Sequence, residues 1–159
     1  MTQYINKVVM KKYIILSLFV FVIASCVNAQ TNKICNLIKT FEKISQLDGF
    51  QLLNYTAEEY GYPKEMGKMK MACYKNSDPR EEVLAILKKL PNSSLKVNYI
   101  DDRGKMTRYY LEKDNNGKAF LLQTFIGTGG NDLCICLFSG ATHEYYNTII
   151  QQIKIELKE

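Results

Sequence analysis

The cysteines are the side chains in this sequence best suited to chemistry. Five cysteines occur in 159 residues, and Cys134 and Cys136 lie two positions apart in an apolar run. Alternate residues of a strand point to the same face, so we expect these two thiols side by side. A bond between them would be strained, and pairing of one of them with Cys35 or Cys73 fits a disulfide better. The alternative is that these four cysteines, at 35, 73, 134 and 136, all remain buried thiols that pack as small apolar groups.

Methionine and cysteine alternate in Met69-x-Met71-x-Cys73, which offers the thioether and thiolate ligands that Cu(I) prefers. Met66, Met69 and Cys73 also have helical spacing, which predicts a short helix within residues 64–75. Three alternate residues of a helix do not share a face, and the spacing matches no closed zinc site. We therefore expect core packing here, with no metal and no cofactor.

Serine and histidine come close together once, at Ser139 and His143, which is the only histidine. His143 falls in the first turn of a predicted helix, and no acid is placed to orient it. A G-x-S-x-G elbow and a phosphate-binding glycine loop are both missing. Asp101-Asp102 and residues 127–131 are typical of turns. We expect no catalytic residue and a non-enzymatic protein.

The N-terminus has the layout of a bacterial secretion signal. A basic start at Met10 precedes an apolar run at 13–23 and small residues at 24–29. The run is shorter than the roughly 20 residues that span a bilayer. We expect residues 1–29 to be a signal peptide, with the natural start at either Met1 or Met10.

Two cleavage sites compete at the end of this signal. The small residues Val27-Asn28-Ala29 predict release of a domain that begins at Gln30 and is periplasmic or secreted. The segment Ile23-Ala24-Ser25-Cys26 resembles a lipoprotein box, and its use would attach Cys26 to the outer membrane by a lipid. Both outcomes stay open, and a lipid on Cys26 is the only membrane attachment we expect.

Much of the chain's positive charge belongs to this signal. The formal net charge is +5, and the first acidic residue is Glu42. Removing Lys7, Lys11 and Lys12 leaves a net charge of about +2 on the rest, which is too weak to indicate a nucleic-acid surface. We expect an envelope protein as the partner, and no nucleic acid.

The remaining residues, 30–159, have the length of one domain. Apolar spacing predicts a helix at 32–46, a strand at 50–54, two short helices or one broken helix within 56–75, and a helix at 79–90 that Asp78 caps. Period-two patterns and turn residues then predict four strands at 95–100, 106–112, 119–126 and 133–139, followed by a helix that Thr142 caps. The order predicts an α+β two-layer sandwich: an antiparallel meander sheet of four to five strands with helices on one face.

The last predicted strand is apolar on both faces, in Leu133-Cys134-Ile135-Cys136-Leu137-Phe138. This pattern is typical of a central strand, or of one whose outer face is covered by the termini or by a partner.

The segment from Thr107 to Lys118, TRYYLEKDNNGK, and the later Leu137-Phe138-Ser139-Gly140 resemble the DUF4252 family of exported Bacteroidetes proteins. The resemblance covers most of residues 36–155, although Gly140-Ala141 stands where many members have Gly-Asp or Gly-Asn. It implies an envelope location, an α+β fold and a link to envelope regulation or sensing. It implies no catalytic residues.

These observations together predict an exported cell-envelope domain that acts as a binding or interaction module and is linked to envelope stress signalling. The alternatives are a small exported thiol-redox or soft-metal protein that uses Cys134 and Cys136, and a structural outer-membrane lipoprotein.

Overall fold

The computed structural model describes residues 35–74, 79–127 and 133–157, so the predicted signal peptide, Cys26 and Asp78 lie outside the described residues. Three helices and six strands occur in the described part. In chain order they are α1 (Asn36–Ser45), β1 (Phe50–Thr56), β2 (Gly67–Tyr74), α2 (Arg80–Leu87), β3 (Leu95–Ile100), β4 (Met106–Lys113), β5 (Ala119–Ile126), β6 (Leu133–Gly140) and α3 (His143–Glu156).

The six strands form one sheet in the order β1-β2-β6-β5-β4-β3, in which every neighbouring pair is antiparallel. Strands β3 to β6 are the predicted meander. Strand β6 then lies beside β2, so the β1–β2 hairpin extends the meander sheet. The α+β class and the antiparallel sheet are confirmed, but the sheet has six strands where we predicted four to five.

Helices cover both faces of this sheet. Adjacent residues of β4 show the division, because Tyr110 packs in a cluster with α1 and α2 while Tyr109 packs in a cluster with α3. The first side is called face A and the second face B. The predicted two-layer sandwich with helices on one face is therefore wrong, since α3 returns to the side opposite α1 and α2.

The doubly apolar strand β6 lies near the middle of the sheet, between β2 and β5. Ile135 on face A and Phe138 on face B are both fully buried. The apolar character of both faces is explained by these two layers.

The segment predicted as two short helices contains two 3-10 turns, Glu58–Tyr60 and Lys64–Met66, followed by the strand β2. The helical prediction for residues 67–74 is wrong. Lys68, Met69, Lys70 and Met71 alternate between exposed and buried, and this period of two matches the burial of the strand. Pairing with β1 and β6 on both sides satisfies the β2 backbone and overrides the helical spacing of the apolar residues.

Two hairpin turns of the meander are confirmed and share one design. The Asp101 side chain accepts hydrogen bonds from the backbone of Arg103 and Lys105, and Asp114 does the same for Asn116 and Lys118. Each turn places a glycine at φ 78°, and no other residue type in the described chain has positive φ. Asp101 is therefore a turn residue, as its sequence context indicates.

Thr142 caps α3 as predicted, because its hydroxyl accepts a hydrogen bond from the Tyr145 backbone N–H at 3.1 Å. Replacing Thr142 with alanine is expected to lower the free energy of unfolding by about 1 kcal/mol. Urea denaturation measures the change. Thr148→Ala, at an exposed position inside the same helix, is the control and should change stability by less. Equal effects of the two substitutions would contradict a capping role.

Candidate functional site

Three of the four cysteines in the described residues lie together on face B. Strand β2 lies directly beside β6, and their register places Cys73 opposite Cys134 and Met71 opposite Cys136. All four side chains point to face B because each strand contributes alternate residues. The predicted side-by-side placement of Cys134 and Cys136 is confirmed. The helical argument against a shared face for Met69, Met71 and Cys73 is wrong, since these residues lie on a strand.

Cys73 and Cys134 approach each other closely, with their sulfur atoms 2.9 Å apart and both residues present as free thiols. Directly opposed residues of an antiparallel pair have Cα atoms roughly 4.5 to 5.5 Å apart, which lies within the range that a disulfide bridges. Two thiolates on one tetrahedral zinc would be about 3.8 Å apart, given Zn–S bonds of about 2.3 Å. The separation thus fits a thiol pair ready to close a disulfide better than a pair of metal ligands.

The third thiol, Cys136, is 1% exposed, whereas Cys73 and Cys134 are half-buried. The hydrogen bond with Cys136 and burial together raise the pKa of Cys134 to about 12, although the hydrogen bond with Cys73 acts in the opposite direction. The contact with Cys134, followed by burial, raises the pKa of Cys73 strongly. Both half-buried thiols are therefore protonated at neutral pH.

A groove of about 270 Å³ opens over these thiols, and we call it the tyrosine–thiol groove. Its lining residues come from the β1–β2 connection, from β2, β5 and β6, and from the turn before β4. They are Tyr60, Tyr62, Met71, Lys105, Phe125, Cys134 and Cys136.

Aromatic rings form one wall of the groove. Tyr60 stacks on Tyr62 with ring centroids 6.3 Å apart, and Tyr62 meets Phe138 edge-on at 5.0 Å. The Tyr62 hydroxyl donates to Gln123, whose side-chain amide in turn donates to the Tyr109 hydroxyl at 2.8 Å. Tyr62 is thus held in place, whereas Tyr60 remains 48% exposed and free to contact a ligand.

The groove has one cation at its edge. The Lys105 ammonium lies 5.9 Å from the centre of the Phe125 ring. Among the groove's lining residues it is the only charged side chain. An apolar pocket with a cation at its edge suits a ligand that combines an aromatic group with a negative charge.

No protein-family model, curated protein or solved structure matches this chain. The likeness to the DUF4252 family therefore stays an expectation from the sequence.

Cys35 is separated from the other thiols by the sheet itself. It precedes α1 on face A, and its thiol donates to the Glu112 carboxylate at 3.3 Å. Burial raises the pKa of Cys35 to about 11, and the Glu112 charge adds to that rise. Of the two disulfide partners expected for the β6 thiols, the structure favours Cys73 and excludes Cys35.

The Ser139 and His143 pair has no catalytic arrangement. Among the described residues, no hydrogen bond joins the two side chains. Burial and then the charge of Lys113 lower the pKa of His143, and Lys113 itself pairs with the exposed Glu144 at 3.6 Å. A base oriented by an acid would show the opposite shift.

The other candidate positions add no site. Asp102 is exposed in the first hairpin turn, and of residues 127–131 only Gly127 lies within the described part. Over the described ranges, no three His, Cys, Asp or Glu side chains are grouped as a metal ion requires. The part of the chain that the structure describes also holds no helix with the length and apolarity needed to cross a membrane.

Sequence reasoning missed Tyr60, Tyr62 and Lys105 as groove residues. Tyr60 and Tyr62 reach the thiols only because the β1–β2 connection folds back over face B, and no local pattern signals that return. The partnership of Cys73 had a visible signal, since the alternation from Lys68 to Cys73 has the period of a strand.

Proposed function

We propose that this chain is an exported cell-envelope domain that acts by binding, and that its binding site is the tyrosine–thiol groove. The observation that carries the proposal is the combination of an open groove, the exposed ring of Tyr60 and the edge cation Lys105. We infer that the partner is an envelope protein that inserts an aromatic side chain beside an acidic one. The resemblance stated above supports a role in envelope stress signalling.

Anilinonaphthalene sulfonate, which carries an aromatic body and one negative charge, is a suitable probe of the groove. We expect saturable binding of one molecule per chain, measured by fluorescence. Lys105→Gln should weaken this binding several-fold, by about 1 kcal/mol, because the edge cation is lost. Tyr60→Ala should weaken it about tenfold, because the stacking surface is lost.

The chain offers a matched control for the lysine. Lys118 follows a turn of the same design and lies over a ring, that of Phe120, at 5.3 Å, but it does not line the groove. Lys118→Gln should leave the probe affinity unchanged, and melting curves should show that each variant is folded. Equal losses for Lys105→Gln and Lys118→Gln would reject the groove as the binding site.

Export is tested separately, by the N-terminus and intact mass of the protein recovered from a bacterial envelope. A chain that begins at Gln30 supports release, and a lipid-modified Cys26 supports anchoring in the outer membrane. Recovery of only the uncleaved chain would contradict export.

A second candidate function is thiol-redox activity, which the approach of Cys73 to Cys134 favours. Efficient exchange catalysts lower the pKa of the attacking thiol, so that it is ionised near neutral pH. Here the contact with Cys134 raises the pKa of Cys73, the contact with Cys136 raises the pKa of Cys134, and burial adds to both rises. The raised pKa values therefore support a binding function over redox catalysis. They also support a stable disulfide between Cys73 and Cys134 over a transient one.

A further inference from the structure

We propose that Cys73 and Cys134 are a site of covalent modification at which a disulfide oxidant closes a cross-strand bond between β2 and β6. The inference goes beyond the proposed function and does not depend on it. Its basis is the register of the two strands and the 2.9 Å separation of the two sulfur atoms.

The reaction is a two-step thiol–disulfide exchange. One of the two cysteines loses its proton and attacks a sulfur of the oxidant, which forms a mixed disulfide and releases a thiol. The other cysteine then attacks its partner's sulfur, and the second thiol of the oxidant leaves. The chain loses two protons and two electrons, which together are two hydrogen atoms, and the oxidant's disulfide takes them up as two thiols.

Accessibility selects this pair from the three thiols on face B. Cys73 and Cys134 are both half-buried, so an oxidant reaches them, whereas Cys136 is only 1% exposed. Cys136 also lies on the same strand as Cys134, where a bond would be strained. Cys35 lies on the other face. One closed bond therefore leaves Cys35 and Cys136 as free thiols.

The bond would join two parts of the sheet that are connected only by the pairing of β2 with β6. Strands β1 and β2 form a hairpin, strands β3 to β6 form the meander, and within the sheet the hairpin touches the meander only where β2 pairs with β6. Cys73 and Cys134 lie at one end of the β2–β6 pairing, and Gly67 and Gly140 lie at the other. Since Cys134 also lines the tyrosine–thiol groove, closure fixes part of the groove floor.

The raised pKa values of the two thiols agree with a bond that persists once formed. Reductants break a disulfide easily when the thiolates released are stabilised. Here the contact with Cys134 and burial disfavour the Cys73 thiolate, and the contact with Cys136 and burial disfavour the Cys134 thiolate. Slow exchange at neutral pH follows from the same property, so the reaction with a disulfide oxidant must be followed until it reaches equilibrium.

The test uses the full chain, reduced and then equilibrated in glutathione buffers with excess oxidised glutathione. We expect most chains to lose two hydrogen atoms in intact mass and a digest to yield a peptide that links Cys73 to Cys134. Alkylation after unfolding should label three of the five cysteines. Labelling of all five, or glutathione adducts without an internal link, would overturn the proposal.

Single variants identify the partners. Because Cys134 and Cys136 fall in the same tryptic peptide, Cys136→Ser is the decisive variant, and it should keep both the link and the loss of mass. Cys35→Ser should also keep them, whereas Cys73→Ser and Cys134→Ser should abolish them. Loss of the link in Cys136→Ser, or a link that includes Cys35, would reject the assignment. Disulfide mapping of the chain without substitutions identifies the linked cysteines even if one variant fails to fold.

Discussion

Replacing Gly67 with alanine is expected to lower the free energy of unfolding by about 3 kcal/mol or more. Gly67 begins β2 with φ 82° and ψ −130°, a combination that only glycine adopts readily. A Cβ atom at this position would lie 2.6 Å from the Ser139 carbonyl oxygen and 3.1 Å from the Gly140 Cα. Both obstacles are backbone atoms of β6, so neither can turn away as a side chain would.

The position matters because Gly67 sets how closely β2 approaches β6. Its carbonyl accepts a hydrogen bond from the Ala57 backbone at 2.8 Å, and the preceding Met66 carbonyl accepts one from the Tyr146 hydroxyl at 2.9 Å. The same ladder ends at the Cys73–Cys134 pair. Gly67→Ala should therefore also reduce the yield of the Cys73–Cys134 link under the oxidation conditions described above.

Gly61 provides the matched control for this substitution. It lies in the same connection at φ 84°, but no heavy atom lies within 4 Å of where its Cβ would be. Gly61→Ala should cost only the conformational strain of positive φ, about 1 kcal/mol. Urea denaturation of both variants measures the difference. Stability losses of equal size would show that contact with β6 adds nothing, which would contradict the close approach of the two strands.

The sequence predicts structure best where that structure depends on residues close together in the chain. The hairpin turns, the meander and the cap at Thr142 were predictable, because Asp, Gly and Thr act on backbone groups within four residues of themselves. The pairing of β2 with β6 was not, because it joins residues 61 positions apart, such as Cys73 and Cys134. The helical prediction for residues 67–74 failed for the same reason, since the β6 and β1 ladders that stabilise β2 are supplied by distant sequence.

The candidate site, too, was only partly predictable from the sequence. The shared face of Cys134 and Cys136 follows from strand periodicity alone. The choice of Cys73 over Cys35 does not, because it depends on which face of the sheet each helix covers. The sheet separates Cys35 on face A from the thiols on face B, and spacing within the sequence contains no information about that.

Glu112 is the polar residue on which the start of α1 depends. It lies on β4, and its carboxylate accepts hydrogen bonds from the Ser94 hydroxyl at 2.5 Å, the Asn36 backbone N–H at 2.9 Å and the Cys35 thiol at 3.3 Å. Helix α1 has no capping side chain of its own. Glu112 therefore serves as the N-terminal cap of α1 from a strand that lies 76 positions away.

Replacing Glu112 with glutamine is expected to lower the free energy of unfolding by about 2 kcal/mol, because charge-assisted hydrogen bonds become neutral ones and one acceptor becomes a donor. Glu42→Gln, on the exposed side of α1, is the control and should change stability by less than about 0.5 kcal/mol. Urea denaturation at neutral pH compares the two variants.

The dependence on pH distinguishes the carboxylate's charge from its shape. Burial raises the pKa of Glu112, but the hydrogen bonds from Ser94, Cys35 and Asn36 outweigh it, so the folded-state pKa lies below the usual value of 4.5. As the pH falls, the Glu112 carboxylate therefore binds a proton at a higher pH in the unfolded chain than in the folded chain. The stabilising effect of Glu112 is complete above about pH 4.5 and is lost as the pH falls through the lower folded value. The difference between the natural chain and Glu112→Gln should accordingly be constant from pH 7 to about 5 and should narrow below pH 4.5. A difference that stays the same down to pH 2.5 would mean that the capping bonds do not require the charged form.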